Sequence, residues 1–180
     1  IRDGGFNRAL MSGTPPGSTF KTAQGLVFLQ EGIVDLNTTF PCYGKSGFVV
    51  GGLSVGCHVH GSPIPFIPSI STSCNSYYCW GLYRMIDNKK KYGSPGNALN
   101  VWKDHMVSMG FGYALGVDLP GEKRGLIPNA KFYDDAFGRW SALRIISTAI
   151  GQGEILLTPV QIANLAATIA NRGHFITPHI

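Results

Sequence analysis

The sequence predicts a mainly helical domain with few strands and many turns, and three observations carry that prediction. Several proline-free stretches place apolar residues at helical spacing, whereas only two short runs, Phe48 to Val50 and Phe175 to Thr177, read as strands. The 24 glycines and 11 prolines among 180 residues call for many sharp turns and exclude a plain helical bundle. Apolar residues make up 44% of the chain, enough for one packed core and too many for a disordered tail.

The first element follows a rigid turn, Thr14-Pro15-Pro16-Gly17. Ser18 to Gln30 lacks proline and carries Phe20, Ala23, Leu26, Val27, Phe28 and Leu29 around most of its circumference, which predicts a buried helix closing near Gly32. From Asn37 to Ser71 the helical period disappears into Gly, Pro, Ser, His and Cys. That texture predicts a long irregular insertion in need of some other source of rigidity. Thr72 to Asp87 and Gly96 to Met109 return to helical composition, the second with Leu99, Val101, Trp102 and Met106 as its apolar stripe. Gly110 to Asp135 reads as loop, punctuated by Asp118-Leu119-Pro120-Gly121 and Ile127-Pro128-Asn129. Thr158-Pro159-Val160-Gln161 combines an N-cap threonine, a proline at the first helical position and a glutamine at the third. This capping box predicts a helix from Pro159 to about Arg172, stopped by Gly173.

Fifteen basic against ten acidic residues leave a net charge of +5, yet only 14% of residues are charged. A basic balance suggests nucleic acid or an anionic surface. The only dense cluster, Lys89-Lys90-Lys91, has no interleaved aromatic residue for stacking, and it reads as a solvated helix end, so no nucleic-acid partner is expected. No run approaches the roughly 18 apolar residues of a membrane span. The chain begins at Ile1, and any leader or anchor is expected to lie outside it.

Chemistry enters at Ser18-Thr19-Phe20-Lys21, the one Ser-x-x-Lys of the chain, at the start of the first predicted helix. Residues three apart share a helix face, so the Lys21 amine is placed to reach the Ser18 hydroxyl. A serine hydroxyl needs a base to become a nucleophile, and a lysine desolvated by apolar neighbours can serve. Ser73-Cys74-Asn75, 55 residues after Ser18 and at the start of another predicted helix, offers a hydroxyl for proton relay and an amide to hold a substrate. Taken singly, each motif is also an ordinary helix cap.

Cys42, Cys57, His60 and Cys74 form Cys-x14-Cys-x2-His-x13-Cys, four soft ligands with the close pair typical of structural zinc. Two disulfides, or four free buried thiols, are the alternative readings. Cys79 stands apart, because five residues along a helix from Cys74 rotate it about 140° away. His58 is a substitute for His60. Trp80, Trp102 and Trp140 read as core or loop anchors, and His105, His174 and His179 have no partner legible in the sequence.

Five ordered blocks carry a family resemblance: Asn7-Arg8-Ala9; Pro15-Pro16-Gly17-Ser18-Thr19-Phe20-Lys21; Ser73-Cys74-Asn75-Ser76-Tyr77-Tyr78; Gly116-Val117-Asp118-Leu119-Pro120-Gly121-Glu122; and Gly151-Gln152-Gly153 through Thr158-Pro159-Val160-Gln161. Together they resemble the transpeptidase domain of class B penicillin-binding proteins, especially the elongation type, penicillin-binding protein 2. The resemblance implies an α+β penicillin-binding protein and β-lactamase-like fold. It also implies that residues 1–180 are a partial transpeptidase domain with an insertion at about 37–71.

By resemblance Ser18 is the acylated nucleophile and Lys21 its base, while Ser73 and Asn75 line the cleft. The implied reaction is peptidoglycan D,D-transpeptidation: the serine attacks the D-Ala-D-Ala bond of one stem peptide, releases D-Ala, and passes the acyl group to an amine of another stem. β-Lactams are implied as trapping ligands, and elongation-complex membrane proteins as partners. A structural zinc on Cys42, Cys57, His60 and Cys74 is implied too, His60 being preferred because it precedes Gly61. The implied location is the periplasmic face of the inner membrane, with an N-terminal anchor. A penicillin-sensing receptor domain and a serine β-lactamase are the rivals; for the lactamase no glutamate is clearly placed, since Glu122 and Glu154 fall in turn-rich segments.

The family's third motif, Lys-Thr/Ser-Gly, has its only letter match in Lys45-Ser46-Gly47, inside the insertion, where it reads as a coincidence. The expectation is a chain holding the helical part of the fold, with most of the central sheet absent.

Overall fold

The computed structural model describes residues 5–179. Among the described residues eight α-helices run in chain order: α1 (Arg8–Met11), α2 (Lys21–Gln30), α3 (Phe66–Ser71), α4 (Asn75–Ile86), α5 (Lys89–Tyr92), α6 (Pro95–Ser108), α7 (Ala130–Phe137) and α8 (Pro159–Ala170). Among the described residues the only sheet is the antiparallel pair β1 (Phe48–Val50) and β2 (Leu53–Val55). None of the described helices is long and apolar enough to cross a membrane.

Helices α2 and α4 form the centre. Both are apolar on several sides, and Ala23, Val27 and Phe28 of the first and Tyr77, Tyr78, Leu82, Met85 and Ile86 of the second are buried in one core. Their axes approach closely because residue 81 has no side chain. A Cβ at Gly81 would stand 2.4 Å from the Phe28 ring. Gly81→Ala therefore forces an aromatic ring to move inside a packed core, at about 1–3 kcal/mol. Thermal unfolding of the protein carrying Gly81→Ala is expected to show a melting temperature lower by about 3–10 °C.

Two further elements lock this pair. Helix α6 buries Leu99, Trp102 and Met106 against it, and the Trp102 indole donates to Gln24 Oε1 at 2.7 Å. The Gln24 amide in turn donates to the Thr148 carbonyl at 3.1 Å, in a 3₁₀ helix spanning Ile146–Ile150. One buried glutamine thus ties three elements that are far apart in sequence, and its own polar groups are satisfied.

The capping box of α8 is present as expected: Thr158 Oγ1 accepts from the Gln161 N–H and the Thr158 N–H donates to Gln161 Oε1 at 3.0 Å. Gln161 does more than cap. Its amide also donates to the Tyr113 and Arg124 carbonyls, fastening the long loop after α6 onto α8.

The structure departs from the sequence reading in five places. The 37–71 segment is not wholly irregular: it holds a hairpin and helix α3. Gly51-Gly52, both with positive φ, make the two-residue turn between β1 and β2. The chain from Thr72 is not one helix, since α3 ends at Ser71 and α4 begins at Asn75. The lysine run opens its own one-turn helix behind the N-cap Asn88 instead of closing α4. Residues 130–135 are helical, because the Asn129 side chain caps α7 by accepting from Phe132 N–H at 2.8 Å, in what had read as a turn. Phe175 to Thr177 forms no strand; it has no neighbouring strand to pair with among the described residues.

Candidate active site

The start of α2 is a 3₁₀ turn, Gly17–Phe20, that passes directly into the α-helix at Lys21. Ser18 lies exposed on that turn, and its hydroxyl has no hydrogen-bond partner among the described residues. Lys21 is the opposite, a lysine with 2% of its surface exposed. Its Nζ sits 2.7 Å from the Ser73 carbonyl, 2.9 Å from Ser73 Oγ and 2.6 Å from Asn75 Oδ1. The amine therefore does not stand in a private pair with Ser18, as the i, i+3 spacing alone suggests. It bridges the two motifs.

The chemistry of the three partners is unequal. The Ser73 carbonyl and Asn75 Oδ1 only accept, so they fix two N–H bonds; the Ser73 hydroxyl can accept or donate. A neutral Lys21 amine thus keeps its lone pair on the hydroxyl side of the site. Burial lowers the Lys21 pKa from its ordinary value, while the facing thiols of Cys57, Cys74 and Cys79 act to raise it.

Ser73 reaches Lys21 through an uncommon backbone. Its φ of 52° is left-handed, at the position after α3 where glycine is the usual choice. Its N–H donates to the Ile70 carbonyl and the next N–H, of Cys74, to that of Ser69, which closes α3. A serine there costs about 1 kcal/mol or more in strain, and this conformation directs both its carbonyl and its hydroxyl to one amine. Cys74 then caps α4, its sulfur accepting from the Tyr77 N–H at 3.4 Å.

Behind this motif the four predicted ligands come together. The ligand atoms of Cys42, Cys57, His60 and Cys74 lie within 4.8 Å of one another, and Cys57 Sγ is 3.5 Å from His60 Nε2. Bonds of about 2.3 Å to sulfur and 2.0–2.1 Å to nitrogen give tetrahedral edges of roughly 3.5–3.8 Å, so a small contraction suits the donor set to zinc. His60 Nδ1 lies 2.7 Å from the Gly61 carbonyl, an arrangement that puts the proton on Nδ1 and leaves Nε2 free to ligate. His58 points elsewhere, to the Thr72 carbonyl. Cys79 is buried outside the cluster, and no disulfide joins the four described cysteines. Burial pushes the Cys74 thiol up to about 12. For Cys57 burial acts upward as well, but hydrogen bonds from the Asn75 N–H, His60 and the Ser76 N–H bring it down to about 7.

The cluster and the catalytic candidates share bonds. The Asn75 N–H donates to Cys57 Sγ at 3.3 Å and Asn75 Nδ2 donates to the Gly56 carbonyl at 2.8 Å. The second bond sets which way the amide faces, and so why its oxygen meets Lys21. Gly56 was not legible as a functional position, because it acts only through its carbonyl.

On the other side of Ser18, the Gly151 carbonyl accepts from the Gly17 N–H at 2.9 Å. Gly151 has φ +70°, and a Cβ there would lie 2.2 Å from the Gly17 oxygen. Glycine is thus required twice over, for conformation and for approach. Glu122 and Glu154 are both engaged structurally. Glu122 accepts from the N–H groups of Leu115, Gly116 and Val117, and Glu154 from the Tyr133 hydroxyl. Lys45 and Ser46 are exposed in the turn preceding β1.

His105, without a visible partner in the sequence, meets Glu31 at the C-terminal end of α2 at 2.6 Å, where Tyr92 and Lys91 converge on the same carboxylate at 2.6 and 3.0 Å. Burial acts to raise the Glu31 pKa, but the hydrogen bonds from Tyr92, His105 and Lys91 outweigh it and bring it to about 2. A carboxylate held below its unfolded value stabilises the fold fully above about pH 4.5, and that stabilisation is lost as pH falls toward 2. Glu31→Gln is expected to lower the melting temperature by about 2–4 °C at pH 7. The gap between the two proteins should narrow as melts are repeated from pH 5 down to pH 3.

Residues 5–180 match the family model described as the penicillin binding protein transpeptidase domain. The peptidoglycan D,D-transpeptidase MrdA of Acinetobacter baumannii is 34% identical over 97% of this chain and 25% of its own length. A solved complex between penicillin-binding protein PBP2 and MreC of Helicobacter pylori is similar with a TM-score of 0.77 at 30% identity, covering 97% of this chain and 30% of that one. Penicillin-binding protein 3 of Mycobacterium tuberculosis, complexed with ampicillin, is similar with a TM-score of 0.70 at 25% identity, over 97% and 34% of the two chains. The chain spans about a quarter of the length of the curated relatives it matches.

Proposed function

We propose, because this chain belongs to the penicillin-binding protein transpeptidase family, that it carries the nucleophile side of the active site of a peptidoglycan D,D-transpeptidase of the wall-elongation type. The observation that carries the proposal is the buried Lys21 amine joined to both Ser73 and Asn75, three residues after an exposed, unpartnered Ser18.

In this reading Ser18 Oγ attacks the carbonyl carbon of the D-Ala-D-Ala bond, and its proton passes to Lys21 Nζ. The Ser73 hydroxyl, 2.9 Å from that amine, hands a proton to the departing D-Ala nitrogen and takes one in turn from Lys21 Nζ, which leaves Ser73 a hydroxyl and Lys21 a neutral amine. The remaining acyl group is an ester on Ser18. An amine of a second stem peptide attacks the ester, its proton returns through Lys21, and the cross-link leaves with Ser18 restored. Asn75 holds Lys21 with its oxygen and retains one amide N–H for the substrate backbone.

Cys42, Cys57, His60 and Cys74 would hold a structural zinc ion. Zinc would supply no step of the reaction; it would tie the insertion at 37–71 to the middle residue of Ser73-Cys74-Asn75. An apolar cleft between Thr19 and Thr22 on one side and Ile162, Leu165 and Ile169 of α8 on the other is where the rest of the catalytic domain would pack. The full-length protein would act at the periplasmic face of the inner membrane with partner membrane proteins, in line with the relative solved with MreC.

Intact mass after incubating the full-length protein with a penicillin tests the proposal. A persistent adduct mapping to Ser18 is expected. Rapid penicillin hydrolysis without an adduct would replace the reading by a β-lactamase, and no reaction at all would end it.

A further inference from the structure

The strongest uncommitted chemistry lies at the other end of the 3₁₀ helix that leads to Gly151. After α7 the chain turns at Gly138 and returns through Arg139-Trp140-Ser141 to that helix. Phe137, Arg139, Trp140, Ser141 and Arg144 line an open cleft of ≈ 420 Å³. The Arg144 guanidinium lies over the Phe137 ring, 4.1 Å from its centroid. Arg139, Ser141 and Arg144 are exposed, and neither arginine has an ion-pair or hydrogen-bond partner among the described residues. Two carboxylates on the neighbouring helix are already committed, Asp134 to the Trp140 indole at 2.8 Å and Asp135 to Lys131 at 2.7 Å. Two guanidinium groups and a hydroxyl against an aromatic wall, with Asp135 paired to Lys131 and Asp134 hydrogen-bonded by the Trp140 indole, suit a planar carboxylate.

We propose that this cleft binds a carboxylate of a peptidoglycan stem peptide, a proposal that rests on the transpeptidase reading. The distances allow it. Arg144 precedes Gly151 by seven residues, five of them in a 3₁₀ helix rising about 2.0 Å each, so the cleft lies within roughly 20 Å of the Gly17–Gly151 contact beside Ser18. Three to four extended peptide residues span about 10–14 Å, and an arginine side chain covers much of the remainder. A stem peptide with its reacting end at Ser18 can therefore place an acidic residue here. Either strand of the cross-linking reaction carries such a group, and the shared chemistry is the carboxylate itself.

Binding is read on the full-length protein from Trp140 emission, with Trp140→Phe identifying the signal. The probes are a synthetic stem pentapeptide ending in D-Ala-D-Ala, its twin with side carboxylates amidated, and the corresponding tripeptide, which serves only as acceptor. The carboxylate pentapeptide is expected to bind about five- to tenfold more tightly than its amidated twin. That preference should vanish in Arg144→Gln and fall in Arg139→Gln. Saturation by the pentapeptide alone assigns the carboxylate to the donor strand, and saturation by the tripeptide assigns it to the acceptor. Equal binding of the twins to the wild-type protein, or a preference that survives both substitutions, overturns the proposal. Because binding needs no turnover, failed penicillin acylation would overturn the transpeptidase reading and leave a carboxylate preference standing, whereas a lost preference with intact acylation would overturn only the cleft.

Discussion

Full-length protein carrying Lys21→Met should form the penicillin adduct about 10²–10⁴-fold more slowly than the unmodified protein, the range spanned by loss of a positioned proton acceptor. Methionine keeps an unbranched, apolar stem in a site that is almost wholly buried, so core packing suffers little. What is lost is the amine, and with it the hydrogen bonds that join Lys21 to both Ser73 and Asn75. Lys21→Arg separates base from charge. A guanidinium restores a cation but cannot be deprotonated, so it should not rescue the rate if Lys21 takes the Ser18 proton. The pH profile gives a third view. Because burial holds the Lys21 pKa below its ordinary value, the neutral amine is populated at lower pH than in a free lysine, and acylation should rise with pH below the usual lysine range. Time-resolved intact mass measures all three. A methionine variant within tenfold of wild type would remove Lys21 from the mechanism.

Metal removal should have the second large effect. Elemental analysis is expected to return about one zinc per chain, and stripping it with a strong chelator should lower the melting temperature by at least about 5–10 °C and slow acylation together. The coupling has a concrete route. Cys74 is both a predicted ligand and the residue between Ser73 and Asn75, and Cys57 accepts the Asn75 N–H. Three sulfur groups released from one small volume would no longer hold the left-handed Ser73 backbone or the Asn75 amide. Cys57→Ser should reproduce the chelator result without chelator. A protein free of metal, with unchanged melting and acylation after chelation, would show that the cluster is a set of buried thiols.

Several site residues were legible because each motif has local meaning. Ser-x-x-Lys at a helix start, Ser-x-Asn at another and Cys-x2-His in a loop without other rigidity are statements about spacing, and the structure brings Lys21 to Ser73 and Asn75 and gathers the four soft ligands behind them. Helix α8 was legible for the same reason, its capping box being a contract between residues three apart. Helix α7 was not. Its cap, Asn129, follows a proline in a turn-like tripeptide, and only the observed bond to the Phe132 N–H distinguishes cap from turn. The hairpin partner Leu53–Val55 was missed although Gly51-Gly52 signalled a two-residue turn, because three-residue strands carry too little alternation to be seen.

By itself the sequence determined the inventory: a mainly helical chain, its nucleophile and base candidates, its four soft ligands and its family. Those follow from contacts within a few residues of one another and from the order of motifs. The tertiary structure alone decided how the inventory is wired. It gave Lys21 to Ser73 and Asn75, turned Asn75 by the Gly56 carbonyl, chose His60 over His58 for the cluster, and supplied Glu31 as the partner of His105. The physical reason is that a buried polar group must be satisfied by whichever partner the packing brings near. Here those partners lie mostly 18 to 74 residues away in sequence, beyond the reach of any local pattern.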